Sequence, residues 1–577
     1  MRTPACTTTT RAARHALTLT IGLLLLNACS TNTTSGGATE PAPVEALGVK
    51  DVDRPLNLVP LPVIGGIGDV NYNDRTQLAK VVLLGKALFW DQQVGEYREY
   101  ISTDPLTKAI TASGVKTGMA CASCHFSAGA DNRGVNNTVS VTVDGLTSQV
   151  KSVGSEGVPK LTYNGRYAAD GKIPSDVTTD TDDVCTSVDT SPRQITGAQA
   201  PSAIIAGYNY LQFWNGRAHN NFNGLNPFGS TANGGDTVFD SGQYTTNSSL
   251  ASQANGPANS DVEMTCAGRD WSNLGWRLRN KRVLAKQDID PNDSVLGQGA
   301  VIPNVRNLTY YDLVANVYGL QVAVNPNTWT NFGRLWGQAV QAYERSLNSD
   351  QTPLDKYLAG ASSALNLDYT STRFGKGNAL RGFGVFKGKG SCTDCHSGPE
   401  LTDASVNFVL VKGLINEDGG DQGFHDINSF PEQADAGRAS TGPKGVTFSE
   451  TMRKDPTNTA DVGAHKTAPL RNVGLTAPYF AHGNADTLED VVEFYNSAGT
   501  ILNGQKVPWR NARLASRLKQ LSLGTQDKAD LVAFLKLGLT DDRAARDAAP
   551  FDHPSLTIPG GSVKLIDATG KFGRPNP

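Results

Sequence analysis

Two pentads, Cys121-Ala122-Ser123-Cys124-His125 and Cys392-Thr393-Asp394-Cys395-His396, each bring two thiols and an imidazole into one short stretch of chain. On a helical turn, positions i and i+3 share a face, so both thiols can reach the two vinyl groups on one edge of a haem. The adjacent His then turns under the ring as the proximal iron ligand. With eight Cys and eight His in 577 residues, chance would supply only about 0.0015 such pentads. Zinc is the competing chemistry, but it would want four such ligands in one site. Here each Cys pair has its own adjacent His and stands far from the other pair. The pentads therefore imply two covalently bound haem c groups, attached through Cys121, Cys124, Cys392 and Cys395, with His125 and His396 on the irons.

The remaining cysteines fit an exported chain. Arg2, Arg11 and Arg14 precede the apolar run Ala16–Leu26, which is too short to span a bilayer as a helix and ends in Leu26-Asn27-Ala28-Cys29. This reads as a lipoprotein signal over 1–28, with Cys29 exposed for acylation. A plain secretory signal is the alternative. A flexible tether over 29–60 follows. Ser30 offers no inner-membrane retention signal, so the expectation is a periplasmic or cell-surface lipoprotein anchored in the outer membrane. Cys6 leaves with the signal, which leaves Cys185 and Cys266. In an oxidising compartment this pair suggests a disulfide contributing up to about 4 kcal/mol, against the alternative of two buried thiols.

The elements that must hold these groups are helical. Apolar spacing predicts helices over Gln77–Trp90, Phe332–Leu347, Leu380–Phe386, Thr487–Tyr495 and Lys528–Leu537, with Thr487 ahead of Glu489 and Asp490 as an N-cap. The 60 glycines and the polar stretches 127–145, 176–192 and 229–260 predict long ordered loops. Lys plus Arg number 52 against 55 Asp plus Glu, and no basic run is interleaved with aromatics, which argues against a nucleic-acid partner. The length suits two domains. The expected fold is mainly α, with two cytochrome c-like haem domains, long irregular loops and few short strands. The boundaries are 61–330 for the N-terminal haem domain, 331–560 for the C-terminal one and 561–577 for a tail.

Several blocks, in order, resemble the bacterial di-haem cytochrome c peroxidase/MauG family over roughly 75–560. They are Leu84-Gly85-Lys86-Ala87-Leu88-Phe89-Trp90-Asp91, the two pentads, Phe213-Trp214-Asn215-Gly216-Arg217, Gly256-Pro257 with Glu263-Met264, and Leu470-Arg471-Asn472-Val473 with Ala477-Pro478-Tyr479-Phe480. Phe222-Asn223-Gly224 and Ala549-Pro550-Phe551-Asp552-His553-Pro554 are more similar to the larger members, a branch that includes rubber oxygenases and surface-associated peroxidases. Two blocks depart from the family. Ala198-Gln199 stands where Arg-Asn is common, and Phe480-Ala481-His482-Gly483 replaces Phe-His-Asp-Gly.

The resemblance implies roles. Glu263 matches the catalytic glutamate, Gln253 its accompanying glutamine, and Trp214 the tryptophan that relays electrons between the haems. Family peroxidases often close the first iron with a His soon after the pentad. None occurs between 126 and 218, and His219 reads as a loop residue, so an open first iron is expected. For the second iron, alignment with MauG-like members puts Tyr495 at the sixth position, with His553 and His482 as rivals and Met452 in an exposed run. The family also commonly holds calcium between its haem domains, although no ligand set stands out here.

The implied activity is reduction of hydrogen peroxide at the first haem, with electrons from a small c-type cytochrome or copper protein arriving through the second. One alternative is a MauG-like or rubber-oxygenase-like enzyme using peroxide or dioxygen on an organic or protein substrate. The other is a non-enzymatic electron-transfer lipoprotein.

Overall fold

The computed structural model describes residues 52–575, except for short breaks and the longer stretches 100–115, 164–184, 230–243 and 450–459. The signal over 1–28, Cys29, most of the tether and Met452 lie outside the described residues. The described residues form one compact unit. Among the described residues no helix is long and apolar enough to cross a membrane.

Nine helices matter for the haem sites. They are α1 (Arg75–Trp90), α2 (Ser249–Ala254), α3 (Trp271–Arg279), α4 (Tyr310–Tyr318), α5 (Gly333–Glu344), α6 (Ala379–Lys387), α7 (Val406–Lys412), α8 (Leu488–Asn496) and α9 (Thr525–Ala533). α1 begins two residues before the predicted Gln77 because the Asp74 carboxylate caps it, accepting from the backbone N–H groups of Thr76 and Gln77. Thr487 caps α8 as its sequence predicts: its hydroxyl accepts from Asp490 N at 3.1 Å and donates to the Asp490 carboxylate at 2.6 Å.

Two large hydrophobic cores form, and each is built on a close helix crossing that needs a glycine. In the first, α1 crosses α5 at Gly85, where a Cβ would collide with the Ala339 carbonyl oxygen. Val81, Leu84, Leu88 and Phe89 pack there with Leu335, Trp336 and Ala339. In the second, α6 crosses α9 at Gly382, where a Cβ would collide with the Asp530 carbonyl oxygen. Phe383 and Phe386 pack there with Leu531, Phe534 and Leu535. Each Leu or Phe buried this way stabilises by about 1.5–3 kcal/mol.

Buried charges tie distant segments to these cores. Lys86, fully buried, reaches Asp293 at 2.8 Å and Asp552 at 3.4 Å. Arg471 grips the Asp355 carboxylate at 2.6 and 2.9 Å and donates to the Pro399 carbonyl, fixing the loop just after His396.

The structure differs from the sequence reading in five places. The end of the expected tether is anchored: Leu56 and Val59 are buried in the first core and Val52 in the second, and Leu56 N donates to the Asp355 carboxylate at 2.8 Å. The stretch 229–260, read as loop, contains α2, whose Leu250 and Ala251 are buried. The predicted helix over Phe332–Leu347, set at the opening of the second half, forms as α5 but packs in the first core. Residues 561–577 do not all trail as a tail. Lys564–Ile566 pairs antiparallel with Leu556–Ile558, and Leu556, Ile558 and Ile566 are buried in the first core. The stretch 127–145, read as loop, contains β1 (Val135–Val143), which pairs antiparallel with β2 (Leu146–Gly154) along its full length. The alternation of Val139 and Val141 is the reason: it gives one apolar face, and Val141 and Val150 pack against Phe430 and Trp509. Among the described residues each strand pairs within a two-stranded sheet, so the body is helix-rich with short strand pairs around it.

Candidate haem sites

The first pentad turns through a single 3₁₀ turn, Cys121–Ser123. His125 N donates to Ala122 O at 3.1 Å, and the imidazole is held by a hydrogen bond of 2.7 Å from Nδ1 to the Gly129 carbonyl. A carbonyl only accepts, so Nδ1 carries the proton and Nε2 presents its lone pair outward. Burial lowers the basicity of His125, keeping the imidazole neutral and able to ligate. Arg133 clamps the turn by donating to Ser123 O at 3.1 Å while pairing with Asp131 at 2.6 Å.

Glu263 approaches this pentad on a loop tied down by the bonded pair Cys185–Cys266. Its N–H donates to Ser260 Oγ at 3.2 Å. The side chain is half-buried, and its charge acts on Cys121, Cys124 and His125. It also acts on Arg217, whose guanidinium lies 3.6 Å over the Phe213 ring. Gln253 stands half-buried in α2, and among the described residues no hydrogen bond joins it to Glu263.

The second pentad repeats the first locally. A 3₁₀ turn covers Cys392–Asp394, His396 N donates to Cys392 O at 2.9 Å, and His396 Nδ1 meets the Leu401 carbonyl at 3.1 Å. Burial lowers its basicity as well. Beside it opens a largely apolar cavity of about 260 Å³ whose wall includes Cys392, Cys395, His396, Trp214, Lys466 and Tyr495. A neutral imidazole with a fixed tautomer, two adjacent thiols and an apolar cavity fit a haem c at this pentad. The first pentad offers the same local chemistry.

Tyr495, in the last turn of α8, is the one of the three proposed second ligands that lines this cavity. Burial, with the nearby Cys395 and Cys392, pushes its phenol well above the usual tyrosine range. The rivals sit elsewhere. His553 stacks on Trp90 at 4.5 Å in the first core, and its Nδ1 meets the Pro554 carbonyl at 2.8 Å. His482 stacks on Phe430 at 3.6 Å and points Nε2 at the Asp435 carboxylate at 2.9 Å. His219, half-buried, accepts from Asn221 N through Nδ1 at 2.9 Å.

One short segment touches both pentads. Ala203 N donates to Gly129 O at 2.9 Å, and Ser202 Oγ donates to Ala128 O at 2.8 Å on the first-pentad side. Gln199, Ala200 and Pro201 line the cavity of the second. Trp214 Nε1 donates to Gln199 O at 2.7 Å, placing the indole on the bridge between the two sites.

Three residues near the sites went unnoticed as functional in the sequence. Arg217 belongs to the Trp214 block but carries no spacing signal for its electrostatic interaction with Glu263. Glu344 is fully enclosed near Cys121, and burial pushes it up to about 8. Lys466, on the cavity wall, is pushed down by burial to about 7 while donating to Leu211 O at 3.2 Å. Both are single charges at the edge of apolar segments, and only the tertiary fold encloses them.

Comparison with known proteins gives consistent matches. Residues 79–363 match the family described as di-haem cytochrome c peroxidase. The chain is 30% identical over 225 residues to the cytochrome-c peroxidase IdrP1 of Denitromonas iodatirespirans, covering 38% of this chain and 52% of that one. It is 27% identical over 247 residues to the methylamine utilization protein MauG of Methylorubrum extorquens, covering 43% and 54%. The chain thus spans about half the length of the curated relatives it matches. Among solved structures, the diheme peroxidase BthA of Burkholderia thailandensis E264 aligns at 18% identity and a TM-score of 0.43, covering 84% of this chain and 90% of that one.

Proposed function

Since this chain belongs to the di-haem cytochrome c peroxidase family, we propose that it reduces hydrogen peroxide at the His125 site with electrons passed on from the His396 site. Both pentads would hold haem c, one associated with each hydrophobic core, and the bound haems supply the redox-active iron. The observation that carries this reading is the asymmetry of the two surroundings. The His125 pentad feels the charge of the half-buried Glu263 carboxylate, which also acts on the Arg217 guanidinium, whereas the His396 pentad opens into a largely apolar cavity with Tyr495 and Lys466 on its wall.

In this scheme the Glu263 carboxylate takes the proton from one peroxide oxygen and returns it to the other as the O–O bond breaks. Arg217 offsets the negative charge that develops there, and Gln253 orients the substrate. Trp214, on the bridge between the sites, would pass on the two electrons arriving from the His396 side, and two protons from solvent would complete the conversion of one peroxide to two waters. The family relation supports a small c-type cytochrome or copper protein as donor. The signal and Cys29 support an exported protein held to the outer membrane by lipid.

A second reading, oxidation of an organic or protein substrate in the MauG manner, is favoured by Tyr495, whose phenol faces the second-haem cavity. Were Tyr495 to hold the iron of a bound haem, its oxygen would favour the ferric state. Stopped-flow spectroscopy of resting and half-reduced protein with hydrogen peroxide separates the two. Rapid reaction at one haem followed by oxidation of added reduced cytochrome supports the peroxidase. A long-lived oxidised state that reduced cytochrome does not quench supports the second reading, and no reaction with peroxide sinks both.

A further inference from the structure

Asp435, His465 and His482 converge beside the second-haem cavity although they are distant in sequence. Asp435 Oδ2 lies 3.0 Å from His465 Nε2 and 2.9 Å from His482 Nε2, and the three potential donor atoms lie within 4.8 Å of one another. Each arrives on a defined piece of backbone. His465 sits in the two-residue strand His465–Lys466, antiparallel to Phe424–His425. Asp435 is fixed through its other oxygen, which accepts from Gly437 N at 2.8 Å. The carbonyl of His482 accepts from Val153 N of β2 at 2.7 Å.

The hydrogen bonds around this cluster do not balance with neutral side chains. His465 Nδ1 faces the Gly463 carbonyl at 3.1 Å, so the one proton of a neutral imidazole belongs there. Nε2 then turns a lone pair toward a carboxylate, and two acceptors face each other. His482 differs: a neutral ring can donate Nε2–H to the same carboxylate oxygen while Nδ1, 3.4 Å from Ser152 Oγ, accepts from that hydroxyl. Without a cation the cluster therefore needs one imidazolium, at His465, with the two ring centres 5.7 Å apart on one carboxylate. A second carboxylate, Asp426, is buried beside His465 and leaves Oδ2 without a hydrogen-bond partner among the described residues. A bound cation meets the same demands without a charged ring: it accepts an Nε2 lone pair from each imidazole, offsets the Asp435 charge, and leaves Nδ1–H of His465 on the Gly463 carbonyl and Nδ1–H of His482 on the Ser152 hydroxyl.

We propose that Asp435, His465 and His482 form a binding site for one divalent first-row transition-metal ion of the zinc or copper class. The donor set, two imidazole nitrogens and one carboxylate oxygen, suits such ions and does not suit calcium, which takes oxygen ligands. The O–N separations of 2.9 and 3.0 Å are close to the about 3.3 Å edge of a tetrahedron with metal bonds near 2.0–2.1 Å. The backbone carbonyl behind His465 is the outer-sphere acceptor that fixes the tautomer of metal-bound imidazoles. Asp435 is about one-quarter exposed, which leaves an open position for water. The ion would pin three loops at the rim of the cavity, independently of whether the haems perform peroxidase chemistry.

The test uses chelator-treated holoprotein and Zn²⁺ or Cu²⁺ alone. Elemental analysis after gel filtration is expected to retain one equivalent per chain. His465→Gln, Asp435→Asn and His482→Gln are each expected to weaken binding tenfold to a hundredfold, while His219→Gln leaves it unchanged. The Cu²⁺ electron paramagnetic resonance spectrum is expected to show coupling to two imidazole nitrogens, reduced to one in either His variant. An unchanged haem spectrum and melting temperature establish that a variant is folded. Loss of metal from the wild type on gel filtration, or equal affinity in folded variants and wild type, overturns the proposal and leaves a His465 imidazolium and a neutral His482, both hydrogen-bonded to Asp435, as the account of the cluster.

Discussion

The two pentads are nearly identical as local structures and differ in what surrounds them. Both fold as a 3₁₀ turn, both fix the imidazole through Nδ1 to a backbone carbonyl, and both are supported by a glycine-dependent helix crossing. Around His125 the structure gathers ionisable groups: Glu263, Arg217 and the enclosed Glu344. Around His396 it gathers a largely apolar wall with a phenol, together with Lys466 and the His425–Asp403 pair. The two pentads thus share their local form, and the long-range environment sets which charged groups stand beside each.

The largest expected effect comes from removing the proton carrier. Glu263→Gln should lower peroxide turnover by at least about 100-fold with both haems still attached. Retained turnover, measured with reduced cytochrome as donor, would erase the functional contrast between the sites. Next is Asp355→Ala, which leaves Arg471 buried and unpaired and should cost about 3–5 kcal/mol. If the second core responds locally, thermal unfolding should show the absorption of the His396 haem changing before that of the His125 haem. Coincident transitions would make the two cores one cooperative unit.

A smaller effect should follow from Cys185→Ser with Cys266→Ser. Loss of the bridge should cost about 2–4 kcal/mol and raise the KM for peroxide through a loosened Glu263 loop, leaving the His396 spectrum unchanged. An unaltered KM would separate the bridge from the site. The smallest is a slope. The pKa of Glu344 is raised in the folded chain, so its contribution to stability is fully present below the unfolded carboxylate value and is lost as pH rises toward about 8. Glu344→Gln should flatten the pH dependence of the melting temperature between about 4.5 and 8. An unchanged slope would show that Glu344 is not enclosed in the haem-bearing protein.

What was legible in the sequence follows the range of the interactions. The pentads, the Thr487 cap and the cores of α1, α6, α8 and α9 depend on neighbours three or four residues away, and the spacing reveals them. The β1–β2 hairpin was hidden by its Ser, Thr and Asn content, although the period-two valines were present. The position of α5 was misjudged because its apolar stripe suits either core; what decides is the match of Gly85 to the Ala339 carbonyl, which spacing does not encode. The same limit applies to His482. Its block suggested an iron ligand, yet Asp435 and Phe430, both distant in the chain, hold the ring away from that role. Tyr495 ranks ahead of His553 already through the family resemblance, and the cavity it lines and the stacking of His553 on Trp90 add to that ranking.

The first core draws on both α1 and the strand pair Leu556–Ile558 with Lys564–Ile566, whereas the second core is assembled almost entirely from residues between Leu354 and Leu539. In a chain exported as proposed above, the first pentad would therefore emerge long before its core can close, and Cys121 and Cys124 would stay open to haem attachment until nearly the whole chain has passed, whereas Cys392 and Cys395 would have a much shorter interval. A slow or haem-starved export step should thus leave the second pentad, rather than the first, without its cofactor.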